Sequence, residues 1–263
     1  MPEGDTIHKL ALVLARHLEG QLLTSAEVRD QPSILLAGHR VKRVRATGKH
    51  LFIDFDNAIT LRSHLGMNGS WHGYAHGEAW KKPPRHAGIV LHTQERVLVC
   101  FHPKEVQIGP TKGLAERALT SHLGPDLLGD EFLPEHAVVR VRQLLEPATP
   151  ILDALLDQRP ACGIGNVYKS ELLFLERLAP TTPVAVVNDE RLAELYLHAR
   201  QLLAKNLGIG QRRTRFSNDA LGPLWVYGRR GFPCLRCGTK INGRKLGKDL
   251  RSTYWCPRCQ PRF

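Results

Sequence analysis

CLRCGTKINGRKLGKDLRSTYWCPRC, residues 234–259, carries two Cys-x-x-Cys pairs, Cys234 with Cys237 and Cys256 with Cys259, separated by 18 residues. That spacing is the one at which two hairpin knuckles supply four thiolates to a tetrahedral zinc ion. Two disulfides would need an oxidising compartment. The N-terminus has no continuous apolar core of the kind a secretory leader shows, so the pairs read as a zinc ribbon holding one structural Zn2+. Cys100 and Cys162 stand apart and read as small buried hydrophobes.

Around the ribbon the charge is lopsided. The 263-residue chain has a formal charge of +12, and residues 211–263 hold thirteen lysines and arginines against two acids, Asp219 and Asp249. Four thiolates on a divalent ion add only −2 to that tail. Such a concentration of cations points to a polyanion, nucleic acid before membrane. No apolar run approaches the ~20 residues of a membrane span. The expected location is cytoplasmic, with the nucleoid as its site of action.

Upstream of the ribbon the pattern is helical. Apolar spacing predicts helices over 138–145, 151–157, 167–178 and 189–206, the last opened by Asn188-Asp189-Glu190. A tight Gly-rich connection, Gln158-Arg-Pro-Ala-Cys-Gly-Ile-Gly-Asn166, leads into the third. Its backbone N–H groups and helix N-terminus suit a DNA phosphate, although glycines also occur in such turns for steric reasons. Further upstream the period drops to two over Leu51–Phe55, Ile89–Thr93 and Val97–His102, with Gly48, Gly66, Gly69 and Pro83-Pro84 as punctuation. At the front, Ile7, Leu10, Ala11, Leu14, Ala15 and Leu18 form one face of a helix capped by Asp5 and stopped by Gly20. The fold class expected is a multidomain α+β chain. A β-sandwich with a leading helix covers 1–124, a helical domain 125–225 and the zinc ribbon 226–263, with a ligand cleft expected between the first two.

These segments, taken in order, resemble the formamidopyrimidine-DNA glycosylase and endonuclease VIII family of bifunctional base-excision repair enzymes. The matching motifs are Pro2-Glu-Gly4, Gly48-Lys-His50, His64-Leu-Gly-Met67, Gly163-Ile-Gly-Asn-Val-Tyr168, Val226-Tyr-Gly-Arg229 and Arg251 through Gln260. The resemblance spans the whole chain and implies that the helical domain is a helix-two-turn-helix unit.

It also implies a chemistry. Removal of Met1 would expose Pro2, a secondary amine able to attack deoxyribose C1′ and form an iminium. An α-amino group ionises near pH 8, so a neutral fraction exists at pH 7 without deep burial. Glu3 matches the family's acid beside the nucleophile, Lys49 a lysine serving phosphate contact and elimination, and Arg251 an arginine on the lesion-site phosphates that assists δ-elimination. Met67 matches a wedge entering the stack when a base is flipped, or else a core methionine. Asn166 matches a phosphate-contacting asparagine, or else a helix cap. His122 stands where endonuclease VIII carries a DNA-contacting arginine. Lys104 follows His102-Pro103 where the purine-specific branch has an Arg-Phe pair, and it is a candidate DNA contact.

The Glu-Gly opening, the missing Arg-Phe pair and the short 210–225 stretch favour the endonuclease VIII side and oxidised pyrimidines as substrates. The His64-Leu-Gly-Met67 loop resembles the oxidised-purine branch, and Thr6 stands where both branches commonly carry glutamate. The expectation is therefore a DNA glycosylase with lyase activity at apurinic or apyrimidinic sites, cutting by β,δ-elimination. Damaged double-stranded DNA is its expected partner, with no membrane, no small-molecule cofactor and a monomeric chain. The alternatives are an oxidised-purine glycosylase and a non-catalytic lesion-binding zinc-ribbon protein.

Overall fold

The computed structural model describes residues 2–112, 123–217 and 219–261. Its contacts divide the chain into two compact units, Met1–His122 and Leu123–Phe263.

The first unit opens with α1 (Gly4–Leu18), which buries Ile7, Ala11, Leu14 and Leu18. The helix starts one residue ahead of the expected cap. Glu3 occupies the N-cap position without a side-chain capping bond, while Asp5 is buried inside the first turn and accepts from Thr6 Oγ1 at 3.2 Å. A carboxylate there still faces the positive helix end. Eight strands follow: β1 (Ser25–Val28), β2 (Val41–Thr47), β3 (His50–Phe55), β4 (Ile59–His64), β5 (Ser70–Tyr74), β6 (Ala87–His92), β7 (Val97–Phe101) and β8 (Glu105–Pro110). They form two antiparallel sheets in the orders β1-β6-β7-β5 and β2-β3-β4-β8. Leu51, Ile53 and Phe55 of β3 share a core with Ile89, Leu91, Leu98 and Cys100 of the other sheet and with the apolar face of α1. The opposite face of β7 is buried too, because Val97, Val99 and Phe101 pack with Tyr74 and Val90 beneath Trp80.

The second unit contains α2 (Pro134–Leu144), α3 (Ile151–Leu156), α4 (Asn166–Leu175) and α5 (Asp189–Lys205), then the hairpin of β9 (Asn242–Leu246) and β10 (Arg251–Trp255). Helix α4 is buried on every side from Asn166 to Phe174. It ends short of the expected Leu178. Arg177 turns to φ 55°, and the Leu178 N–H donates to Leu173 O at 2.9 Å, the pattern of a Schellman cap. Phe174 leaves the helical core and packs with Val226, Ile241, Cys234 and Cys256. The lone Cys100 and Cys162 are both fully buried, and burial pushes the Cys100 thiol far up. No helix among the described residues is long and apolar enough to cross a membrane.

Candidate active site

Strand register gathers three of the expected residues at one end of a sheet. His50 opens β3, His64 closes β4 and Glu105 opens β8, and they pair in sequence as His50–His64 and His64–Glu105. The connections leaving this rung carry Lys49, Met67 and Lys104. Lys49 sits half-buried in the two-residue turn between Thr47 and His50, behind Gly48 at φ 57°. A positive φ at the head of a two-residue hairpin is where glycine is favoured. Met67 is 67% exposed at the tip of a loop closed by the Gly69 N–H on Leu65 O at 3.0 Å. That loop is backed by Lys104, whose N–H donates to His64 O at 2.8 Å and whose exposed ammonium lies 3.4 Å from Glu105.

The rung itself is polar and half-sheltered. The rings of His50 and His64 stack with centroids 4.7 Å apart. Arg62 Nη2 donates to Glu105 Oε2 at 2.9 Å, and Arg62 Nη1 approaches His50 Nδ1 at 3.5 Å. Burial, with His64 and Arg62 adding like charge, lowers the His50 imidazole to about 3, and burial lowers His64 as well. Burial acts to raise Glu105, but His64, Arg62 and Lys104 together outweigh it and hold the carboxyl below its usual range. At neutral pH the rung thus has neutral imidazoles beside an Arg62–Glu105 ion pair.

Helix α1 carries the N-terminus. Its C-terminal end is tied to the start of β2 by the Gly20 N–H on Val41 O at 2.9 Å and by Glu19 Oε1, which accepts from Val44 N at 2.7 Å. The helix packs against β2 and β3, and its first turn buries Gly4, Asp5 and Ile7. Pro2 is half-buried and Glu3 fully buried ahead of that turn.

In the second unit Arg251 is exposed at the first position of β10, opposite Leu246. Asn166, the first residue of α4, donates from Nδ2 to Ser252 O at 2.8 Å. The hairpin turn is held from α3, where Asp153 accepts from Lys248 N at 3.2 and 3.3 Å. Gly247 has φ 76°, a conformation that favours glycine, and a Cβ there would meet Asp153 Oδ1 at 2.2 Å and displace the side chain that holds the turn. His122 lies outside the described residues.

The four ribbon cysteines converge, with all their sulfurs within 4.8 Å of one another. A tetrahedral zinc with Zn–S of about 2.3 Å requires sulfurs about 3.8 Å apart. Cys234–Cys259 and Cys237–Cys256 measure 3.9 and 3.5 Å. The N–H groups of Arg236 and Cys259 each donate to a cysteine sulfur at 3.4 Å. The set fits one structural zinc, and four protein thiolates leave no position for a reacting water.

Sequence reading missed the polar residues that hold these candidates. Arg62 and Glu105 lie on strands without clear alternation. Lys169, at i+3 from Asn166, lies fully buried in a helix that read as apolar and periodic. The i, i+3 spacing was the one signal available.

Family models match nearly the whole chain: the formamidopyrimidine-DNA glycosylase N-terminal domain over residues 1–105, its H2TH domain over 123–218, and the zinc finger found in FPG and IleRS over 231–262. A probable endonuclease 8 2 of Streptomyces coelicolor is 40% identical over 99% of this chain and 94% of its own. A DNA-(apurinic or apyrimidinic site) lyase Nei2 of Mycolicibacterium smegmatis is 38% identical over 99% of both chains. A formamidopyrimidine-DNA glycosylase of Paracoccus denitrificans is 31% identical over 99% of this chain and 100% of its own. Among solved structures, Lactococcus lactis formamidopyrimidine-DNA glycosylase bound non-covalently to DNA containing an abasic site superposes with a TM-score of 0.84 at 22% identity, over 99% of this chain and 100% of that one. With its sheet domain, helical H2TH domain and four-cysteine finger, the chain belongs to the formamidopyrimidine-DNA glycosylase and endonuclease VIII family.

Proposed function

We propose that this protein removes oxidised pyrimidines from duplex DNA and cuts the strand by β,δ-elimination, with Pro2 as nucleophile after loss of Met1. The family activity is that of a base-excision repair DNA glycosylase with lyase activity at abasic sites. Relatives with endonuclease 8 names match at 38–40% identity against 31% for a formamidopyrimidine-DNA glycosylase, which favours the pyrimidine branch. In this reading the Pro2 nitrogen attacks C1′ as the C1′–N bond to the base breaks, its N–H proton going to the departing base, and the C1′–O4′ bond then opens with protonation of O4′ to leave an iminium on the ring-opened sugar. Loss of a C2′ proton then breaks the C3′–O bond, and a second elimination breaks C5′–O. Glu3 is the acid that assists sugar ring opening, Lys49 contacts phosphate and serves elimination, and Met67 enters the stack in place of the flipped base, with Lys104 beside it. Arg251 and Asn166 hold phosphates flanking the lesion. Arg251 suits this task because its forked donors grip one phosphate at two points. The protein acts as a monomer at the nucleoid, and the zinc supports its hairpin without entering the reaction.

The observation that carries the reading is the shared sheet end of Lys49, Met67 and Lys104. An oxidised-purine preference is the second reading, favoured by the Leu65-Gly66-Met67 loop. The test incubates the protein, its N-terminus checked by mass spectrometry, with duplexes carrying dihydrouracil, 8-oxoguanine or an abasic site, in borohydride. We expect covalent trapping and cleavage on dihydrouracil and abasic DNA, and at least about 10³-fold loss of trapping in Pro2→Gly. Preference for 8-oxoguanine overturns the lesion class, and absence of trapping overturns Pro2 as nucleophile.

A further inference from the structure

Lys169 is completely buried, yet its ammonium sits among three acceptors: Asn166 Oδ1 at 2.6 Å, Thr253 Oγ1 at 2.8 Å and Ser252 O at 3.2 Å. Three acceptors match the three N–H donors of a charged lysine. The bonds have a direction. The Thr253 hydroxyl donates onward to Arg251 O at 3.0 Å, so it accepts from Lys169. An ammonium can only donate, so the Asn166 atom facing it is the carbonyl oxygen, and the amide nitrogen is thereby turned to Ser252 O. One Asn166 N–H is used on Ser252, which leaves the second for a phosphate. A single buried cation therefore bonds the backbone of Ser252 and the side chain of Thr253, reaches Arg251 O through the Thr253 hydroxyl, and sets the orientation of Asn166.

We propose that Lys169 is a positioning residue that joins Asn166 and Arg251 into one phosphate clamp at the junction of α4 and β10. This rests on the reading of those two residues as DNA contacts. Lys169 touches no DNA itself. It fixes the amide that must present a donor, and it fixes the strand from which the Arg251 guanidinium extends. Without it the amide is free to turn over, and β10 is held by one bond fewer at each of two positions. Loss of alignment on this scale lowers rates by at least about 10-fold.

The experiment compares Lys169→Met, Thr253→Val and Thr253→Ser with the parent protein, after zinc content and thermal melting have established folding. Binding to a duplex with an uncleavable tetrahydrofuran abasic analogue is measured across a salt series, and the ends formed from an abasic duplex are resolved. With Lys169→Met and Thr253→Val, trapping by borohydride at saturating DNA is expected to persist while δ-elimination ends fall at least about 10-fold relative to β-elimination ends. Lys169→Met also weakens binding to the analogue, with a shallower salt dependence. Thr253→Ser, which keeps the hydroxyl, is expected to restore the parent ratio. Zinc-loaded Lys169→Met with the parent's product ratio and affinity overturns the proposal. Should Lys169→Met lose its zinc, the decision passes to the Thr253 pair, and equal ratios in Val and Ser overturn it. A parent protein that neither traps nor cleaves counts against the functional reading instead.

Discussion

The two units handle polar side chains in opposite ways. In the first, Lys49, Met67 and Lys104 stand on turns and loops that leave one sheet end, partly or largely exposed, with a half-sheltered rung of histidines behind them. In the second, Lys169 and Glu171 are entirely buried and their hydrogen bonds run to other parts of the same unit. Glu171 accepts from the backbone N–H groups of Trp225, Val226 and Tyr227 at 2.7–2.8 Å and from the Thr214 hydroxyl. The first unit thus presents its candidate residues on turns and loops of a sheet scaffold. The second uses charge to fix the attitude of a hairpin whose own strands are only five residues each.

Zinc removal is the strongest test of this contrast. A structural zinc supplies about 10 kcal/mol or more of folding energy to a small domain. Chelation, or Cys256→Ser, is expected to abolish DNA binding and to melt the second unit while the sandwich persists. Differential scanning calorimetry and near-ultraviolet circular dichroism follow the two transitions, and a single shared loss of both units would break the contrast. Next in size is Glu171→Ala. Four donors would lose their acceptor, those of Val226 and Thr214 on buried residues and those of Trp225 and Tyr227 on half-buried ones, a buried donor left unmade costing about 1–3 kcal/mol. We expect at least about 3 kcal/mol of destabilisation confined to the second unit, measured by urea unfolding.

The smallest effect belongs to the first unit and is a pH response. The His50 imidazole is lowered to about 3 in the folded chain against 6.5 ordinarily, so between those values the unfolded chain binds a proton that the folded one does not. Stability of the sandwich is therefore full above 6.5 and declines as pH falls from there toward 3. Glu105, held below its ordinary value, adds a loss in the same direction only at lower pH. Melting temperatures between pH 7 and 5 are expected to fall for the parent and to fall less for His50→Gln. An unchanged slope in that variant would remove the histidine rung from the account.

Legibility in the sequence follows the same division. Strands β3, β6 and β7 were readable because each faces a core and alternates, and the four helices because their apolar periods are regular. Strand β8 was not, since most of its residues are exposed or half-exposed along an edge, and β2 was hidden by exposed Lys42 and Arg43 between buried Val41 and Val44. The four cysteines were visible through their spacing, and Pro2, Lys49 and Arg251 stood out as candidates through short motifs. Lys169 was not, because nothing in a helical pattern announces that a charge will be buried. The Thr253 and Ser252 acceptors that help make that burial tolerable lie more than eighty positions away.

Helix α4 reaches past its own bundle: Phe174 fills the finger's interior, Glu171 gathers the segment leading into it, and Gln260 from beyond the last cysteine donates back to Leu178 O. The finger is consequently no portable module. Excised at about residue 226 it would shed its aromatic plug, and grafted elsewhere it would need a host helix bearing the same phenylalanine and carboxylate one turn apart.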